Sequence, residues 1–500
     1  MKFLSIIALI ILVAPYGISQ DARVIWQKTI GGIGYDWIDA VVSDENGNSF
    51  VVSTLQEGDN HQVQVSKMDN RGQPVWTTSI GGDRDETGKE VVLSKDGSLI
   101  ILGASYSNNL HPSVEHKGFS DIFVAKLSQN GTLESIQTYG GSEIDQPSSI
   151  IEKSNGNLLI TATSWSKDFD VPNNMGGSDI WVFELNPSGT IVWNQTFGSS
   201  NDDYAANVII HENGSLLIAG NTESYEGANY DKNHGDFDVV LYKVSSNGIT
   251  QWTSLFGGYL ADFASGVTLM DNGNYLVGAT TTSKDGDVFE SFGGSDAWLF
   301  EVAKNGDLLW SRTYGSIGNE SIADIKNVGD GFVIFGSSSS PVMNDITGNG
   351  SQDFWLCEIN DEKEIIDEYL FGASGFEEGY AMALTDDGSV IMGGISNSSD
   401  GIAEGNNGEK DGLLLKVNRK SQSQSFASLH PNPTENIVYI NNIPEKSELF
   451  VTDLNGAQVI NNISVFGSAK SLDLGDLPAG VYIITIANPL GKQLIRVSKL

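Results

Sequence analysis

Apolar and polar residues alternate from Asp179 to Leu185 and again from Thr190 to Phe197, on either side of Asn186-Pro187-Ser188-Gly189. Period-two alternation around a turn-forming tetrapeptide predicts a β-hairpin half-buried in a sheet. The same pattern recurs from Asp296 to Gly315 and from Asp121 to Gly140. A hairpin that cannot bury its faces alone must stack on its own copies, so the repeat defines the fold.

Aligning on Trp193 gives seven anchors: Trp26, Trp76, Ser135, Trp193, Trp252, Trp310 and Asp367. A glycine follows each by five residues, and an acid follows each glycine by five more: Asp36, Glu86, Asp145, Asp203, Asp262, Glu320 and Glu377. Next comes Asn-Gly or Asp-Gly, from Asn46-Gly47 to Asp387-Gly388, a dipeptide that tolerates the positive φ of a two-residue hairpin turn. A long polar loop then leads to Asp121, Asp179, Asp238, Asp296, Asp353 or Asp411 at the start of a third strand. The first unit has Gln62 there and a shorter loop.

The seventh unit reaches a third strand, Gly412 to Val417, and stops, whereas a spare fourth strand, Val24 to Ile30, precedes the first unit. This predicts an all-β chain whose residues 20–418 form a seven-bladed β-propeller closed by the N-terminal strand. An open solenoid leaves that asymmetry unexplained. In such a meander the repeated acids and the loop aspartates gather on one face with the mouth of the central channel.

Residues 1–19, a basic start followed by a short apolar run and small residues, predict a signal peptide, and no later segment is apolar enough to span a membrane. A single cysteine, Cys357, excludes a disulfide framework within the chain. The net charge of -36 falls almost wholly before Phe426. It repels phosphate backbones, which excludes nucleic acid, and favours cations or basic partners.

The period breaks in residues 419–425, which read as a linker, and residues 426–500 predict a small β-sandwich. Pro431-Asn-Pro433, Asp453-Leu-Asn-Gly456, Leu477-Pro-Ala-Gly-Val-Tyr482 and the basic end Arg496 to Lys499 resemble the type A C-terminal sorting domain of type IX secretion cargo. The resemblance implies engagement with the type IX machinery, passage through the periplasm and release or attachment at the outer-membrane surface. The repeats are similar, more loosely, to secreted bacterial propellers that carry this tail.

The seven repeated acids are expected to accept backbone N–H bonds at the links between blades, because a ring needs one joint seven times whereas catalysis needs one asymmetric site. Asp168, Asp170 and Asp179, and likewise Asp285, Asp287 and Asp296, place hard oxygen donors close in sequence, a set that calcium accepts, with solvated loop acids as the alternative. None of the six histidines has a zinc-binding spacing, and no nucleophile elbow or phosphate loop occurs. Trp165 opens a long loop, where it can stack on a sugar ring.

The preferred functional expectation is a non-enzymatic module that binds an extracellular protein or glycan through its acidic loop face. The alternatives are a carbohydrate-active hydrolase or lyase using paired loop carboxylates, and a cell-surface spacer without a ligand.

Overall fold

The hairpin turns take a shape that the dipeptide rule did not foresee. In six of the seven units only the glycine has positive φ, between 75° for Gly47 and 82° for Gly97 and Gly156. Its N–H donates to the carbonyl three residues back, as from Gly47 to Asp44 at 3.0 Å, and Asp44 N donates to Asn48 O at 2.9 Å. These are three-residue loops built on a type I turn that ends in a left-handed glycine, not two-residue turns. The exception is the turn where Val328 N donates to Gly331 O at 3.0 Å.

The protein is described by a computed structural model covering residues 23–419, except 113, 224–233 and 345, and residues 428–500, except 431, 442, 444–446, 454–456, 466–468 and 489–490. The predicted signal segment, Pro431, Leu454 to Gly456 and all of the predicted linker but Arg419 lie outside the described residues. The described chain is all-β apart from the short 3-10 turn Gly401–Ala403, and no helix in it is long and apolar enough to cross a membrane. It divides into one unit ending at Val417 and a second from Asn418 to Leu500.

Among the described residues the first unit contains seven four-stranded antiparallel sheets and one two-stranded ribbon, Val342–Met343 with Ile346–Thr347. The first sheet runs Trp37–Ser43, Ser49–Glu57, Asn60–Met68 and Pro74–Ile80, and five more follow the same sequential order. The seventh takes Glu377–Leu384, Ser389–Ser396 and Asp411–Asn418 from the end of the unit. Its fourth strand is Val24–Ile30, which pairs Lys28 with Leu414 and Ile30 with Gly412. The innermost strand of each sheet touches that of the next, and Glu377–Leu384 touches Trp37–Ser43 in turn.

Aromatic side chains fill the spaces between sheets. Trp181 stacks on Phe183 at 4.1 Å and Trp298 meets Phe300 at 4.3 Å, with all four rings fully buried. Trp26, Trp76, Trp193 and Trp252 each lie over a turn glycine of another sheet, so that a Cβ on Gly131 would stand 2.6 Å from the Trp76 ring, whereas Trp310 meets Lys363 instead. Trp76 Nε1 also donates to Gln129 O at 3.0 Å, which satisfies the indole where it is packed.

In the second unit, Ser428–His430, Ile437–Asn441 and Ala469–Asp473 form a three-stranded sheet, and four longer strands form another. Val438, Ile440, Leu449, Val451 and Ile484 from both sheets share one core.

Candidate functional site

The seven repeated acids are all buried, each at 0 % exposure. Each accepts the N–H of the residue four before it: Gly32 to Asp36 at 2.6 Å, Gly82 to Glu86 at 2.8 Å, Gly141 to Asp145 at 2.7 Å, and so on to Ala373 with Glu377 at 2.8 Å. Register places the acid, a serine or threonine on the second strand and the loop aspartate of the same sheet in one row, as in Asp145, Ser164 and Asp179. Both acid sets therefore gather at the same end of the sheets, with Gln62 in place of the loop aspartate in the first, but as sealed joints and not as a solvated acidic surface. What remains exposed at that end are loop acids such as Asp83, Glu143, Asp168, Asp285 and Asp400.

Across six of the seven joints a loop aspartate faces the repeated acid of the next sheet, Gln62 taking its place in the other. Asp121 and Asp145 flank Gly140, and Asp238 and Asp262 flank Gly257. Oδ1 of all six loop aspartates is buried without a hydrogen-bond partner. Burial pushes these carboxyls up, to about 6 for Asp145, Asp179 and Asp353 and about 7 for Asp203 and Asp238, with the facing carboxylate adding to the shift in all but Asp179.

The residues expected to hold calcium are not brought together as a ligand set. Asp168 Oδ1 accepts Ser142 N at 2.8 Å, and Asp285 Oδ1 accepts Tyr259 N at 2.7 Å, so both cap the turns that join neighbouring sheets. Asp170 pairs with Lys117, and Asp287 Oδ2 accepts Gly257 N at 3.3 Å. Asp179 and Asp296 are buried and accept the amides of Met175 at 2.5 Å and Phe292 at 2.9 Å. Among the described residues no three His, Cys, Asp or Glu side chains gather closely enough to hold a metal. Repeated turn caps have the same residue types and spacing as cation ligands, which is why the sequence pattern pointed there.

The asymmetric chemistry lies on the axis instead. Every innermost strand carries a register shift three residues after the repeated acid, as between Ile38 and Ala40 and between Gly379 and Ala381. A β-bulge re-aims the extra residue, and all seven bulge residues line the axial cavity: Asp39, Lys89, Ser148, Ala206, Ser265, Ala323 and Tyr380. Tyr380, Asp39 and Lys89 form one polar arc; the other four are small and uncharged. On the loop side the cavity has a volume of about 510 Å³ and is also lined by Trp37 and Glu378. On the turn side, Asp324 and Lys326 form an ion pair at 2.9 Å, and Glu90 Oε2 accepts Ile150 N at 2.7 Å.

Asp39 receives Trp37 Nε1 on Oδ1 and Thr54 Oγ1 on Oδ2, both at 2.7 Å. Part of its surface still meets the cavity, yet the surrounding walls push its carboxyl up to about 7. Enclosure likewise pushes Glu90 up, and Asp324 beside Lys326 holds that ammonium charged. Sequence reasoning missed this set because the residue type at the bulge changes from unit to unit; its one signal is the constant distance from the repeated acid.

Trp165 is half-buried and starts an aromatic row. It lies 6.0 Å from Tyr204, which lies 5.4 Å from Phe237, itself 5.3 Å from Phe263. Tyr204 and Phe263 occupy the register of Trp37 and Glu378 on their own strands, directly before cavity-lining Ala205 and Ala264. The row therefore meets the strands of the small-residue arc at Tyr204 and Phe263, next to the cavity-lining residues.

Residues 428–497 match the family model of the secretion system C-terminal sorting domain. The regulatory protein FlaEY of Caulobacter vibrioides is 23% identical over 373 residues, covering 71% of this chain and 35% of that protein. This chain thus spans about a third of the length of that curated relative. Among solved structures, PorZ, a surface component of the type IX secretion system of Porphyromonas gingivalis, is similar with a TM-score of 0.41 at 14% identity, covering 92% of this chain and 59% of that one. The polysaccharide lyase Uly1 is similar with a TM-score of 0.45 at 11% identity, covering 78% and 91%.

Proposed function

We propose that this chain, which its sorting domain carries through the periplasm to the cell surface or the medium, is a seven-bladed β-propeller that binds an extracellular partner at its loop face. The observation that carries this reading is the bulge ring. Seven equivalent backbone positions present five kinds of side chain, three of them large or charged and all on one arc, to one axial cavity, so the repeat is kept where it builds the disc and varied where a ligand would sit. The circuit of innermost strands and the pairing of Val24–Ile30 with Asp411–Asn418 support the propeller and its closure.

A hydrolase or lyase built on paired loop carboxylates has less support. The carboxylates that face each other across the joints are sealed from substrate and repeated at six joints. Binding is tested with the secreted full-length protein immobilised against extracellular glycans and peptides. Capture of a partner that is lost on Asp39→Asn or Tyr380→Ala, with an unchanged melting temperature, is the expected result; unchanged capture by both variants sinks the axial site.

A further inference from the structure

The loop-side mouth of the cavity has two unlike lips. One is formed by Ala205, Ala206, Ala264 and Ser265, small residues that widen the cavity, with the aromatic row beside them through Tyr204 and Phe263, the chain neighbours of Ala205 and Ala264. Phe263 is 39 % exposed at its end, and Tyr259 and Leu260 extend the apolar strip at 70 % and 45 %. The opposite lip carries Asp39, Glu378, Tyr380 and Lys89. Tyr380 donates its hydroxyl to Glu378 Oε2 at 3.0 Å, so the two form one polar edge.

A ligand that fits must be apolar on one face and rich in hydroxyl donors on the other. A pyranose ring has that division: its C–H face packs on aromatic carbon while its hydroxyls reach carboxylate acceptors. The charge of the chain, -36, disfavours an anionic polymer. A basic peptide would satisfy the carboxylates but leaves the aromatic row without a use.

We propose that this mouth binds a neutral oligosaccharide, stacked on Tyr204, Phe237 and Phe263 with Trp165 at the outer end, its hydroxyls turned toward Asp39, Glu378 and Tyr380. The assignment rests on the binding reading above and names its ligand class.

The test is an array of neutral hexasaccharides (β-1,3-, β-1,4- and α-1,4-glucans, xylan, mannan and galactan), with polyuronate and sulfated oligosaccharides and lysine-rich peptides as further arms, probed with the full secreted chain. Binding to a neutral hexasaccharide is expected. Tyr204→Ala and Phe263→Ala should each weaken it at least tenfold at an unchanged melting temperature, Phe263→Tyr should retain it, and Phe169→Ala, an exposed loop residue outside the row, should leave it unaltered. Binding only to a basic peptide keeps the face as a binding surface and overturns the glycan assignment; binding only to anionic glycans overturns it too. A blank on every arm overturns the binding reading with it. Neutral-glycan binding that survives both alanine variants places the ligand elsewhere and refutes the row.

Discussion

Asp411 and Asp36, from the two ends of the first unit, meet across Gly31: a Cβ on that glycine would stand 2.5 Å from Oδ1 of Asp411 and 2.6 Å from Oδ2 of Asp36. Asp121 and Asp145 make the same joint around Gly140, where the chain is continuous. The sheet completed by the N-terminal strand is therefore joined to the first by the same contact as its neighbours.

Raising the pH from 5 to 8 should lower the melting temperature. Burial lifts the joint carboxyls from an ordinary value of 3.8 to about 6 or 7. Between about pH 4 and 7 the folded chain then holds protons that the unfolded chain releases, so unfolding becomes easier as pH rises through that window. Asp238→Asn keeps an acceptor for His234 N and turns a donor toward Asp262, so it should flatten the profile and stabilise at pH 8 by on the order of 1 kcal/mol. Gln62 already places an amide at this position in the first sheet, beside Gly81. Calorimetry across the range checks both, and a melting temperature that climbs from pH 5 to 8 contradicts the joint.

Gly31→Ala and Gly32→Ala should behave differently although they are neighbours. The first forces a methyl against two carboxylates and should cost about 2 kcal/mol. At Gly32 the nearest atom to a new Cβ is 4.0 Å away, so that variant should be close to neutral. Paired chemical denaturation measures the difference, and equal costs would remove the steric reason for the glycine.

Deleting residues 20–30 strips Asp411–Asn418 of its outer partner and Asp367 of Arg23, which it meets at 3.3 Å. A sharp fall in melting temperature is expected in thermal unfolding. A melt equal to that of the intact chain would mean that the strand contributes nothing to the ring.

Cys357 is fully buried, and burial with Glu368 and Glu358 nearby pushes its thiol well up. Iodoacetamide should leave the native protein unlabelled at pH 8 and alkylate one site after unfolding. Labelling of the native protein at the rate of a free thiol would be the contrary result.

Removing residues 426–500 should leave the first unit folded but confined to the periplasm. Fractionation followed by detection of the protein decides it, and normal appearance in the medium would show that export does not depend on the tail.

Much of the architecture was legible in the chain itself. Alternation around Asn186-Pro187-Ser188-Gly189, recurring glycines and the tail motifs were enough to mark the strands, the four-stranded unit and the sorting domain, because strand pairing and turns are governed by local patterns that survive in every copy. Turn geometry was less legible: Asn46-Gly47 is compatible with more than one loop length, and pairing across the hairpin, not the dipeptide, selects between them.

The sequence by itself determined the repeat, the all-β character and the sorting domain, since each is written in periodicity or in a contiguous motif. Only the tertiary structure decided which acids are sealed and which line the cavity. Asp179 and Asp296 look like cation ligands until neighbouring sheets close over them, and Asp39, Lys89 and Tyr380 look unrelated until a bulge in each innermost strand turns them onto one axis. Burial and convergence are properties of how distant segments pack, and no local pattern records them.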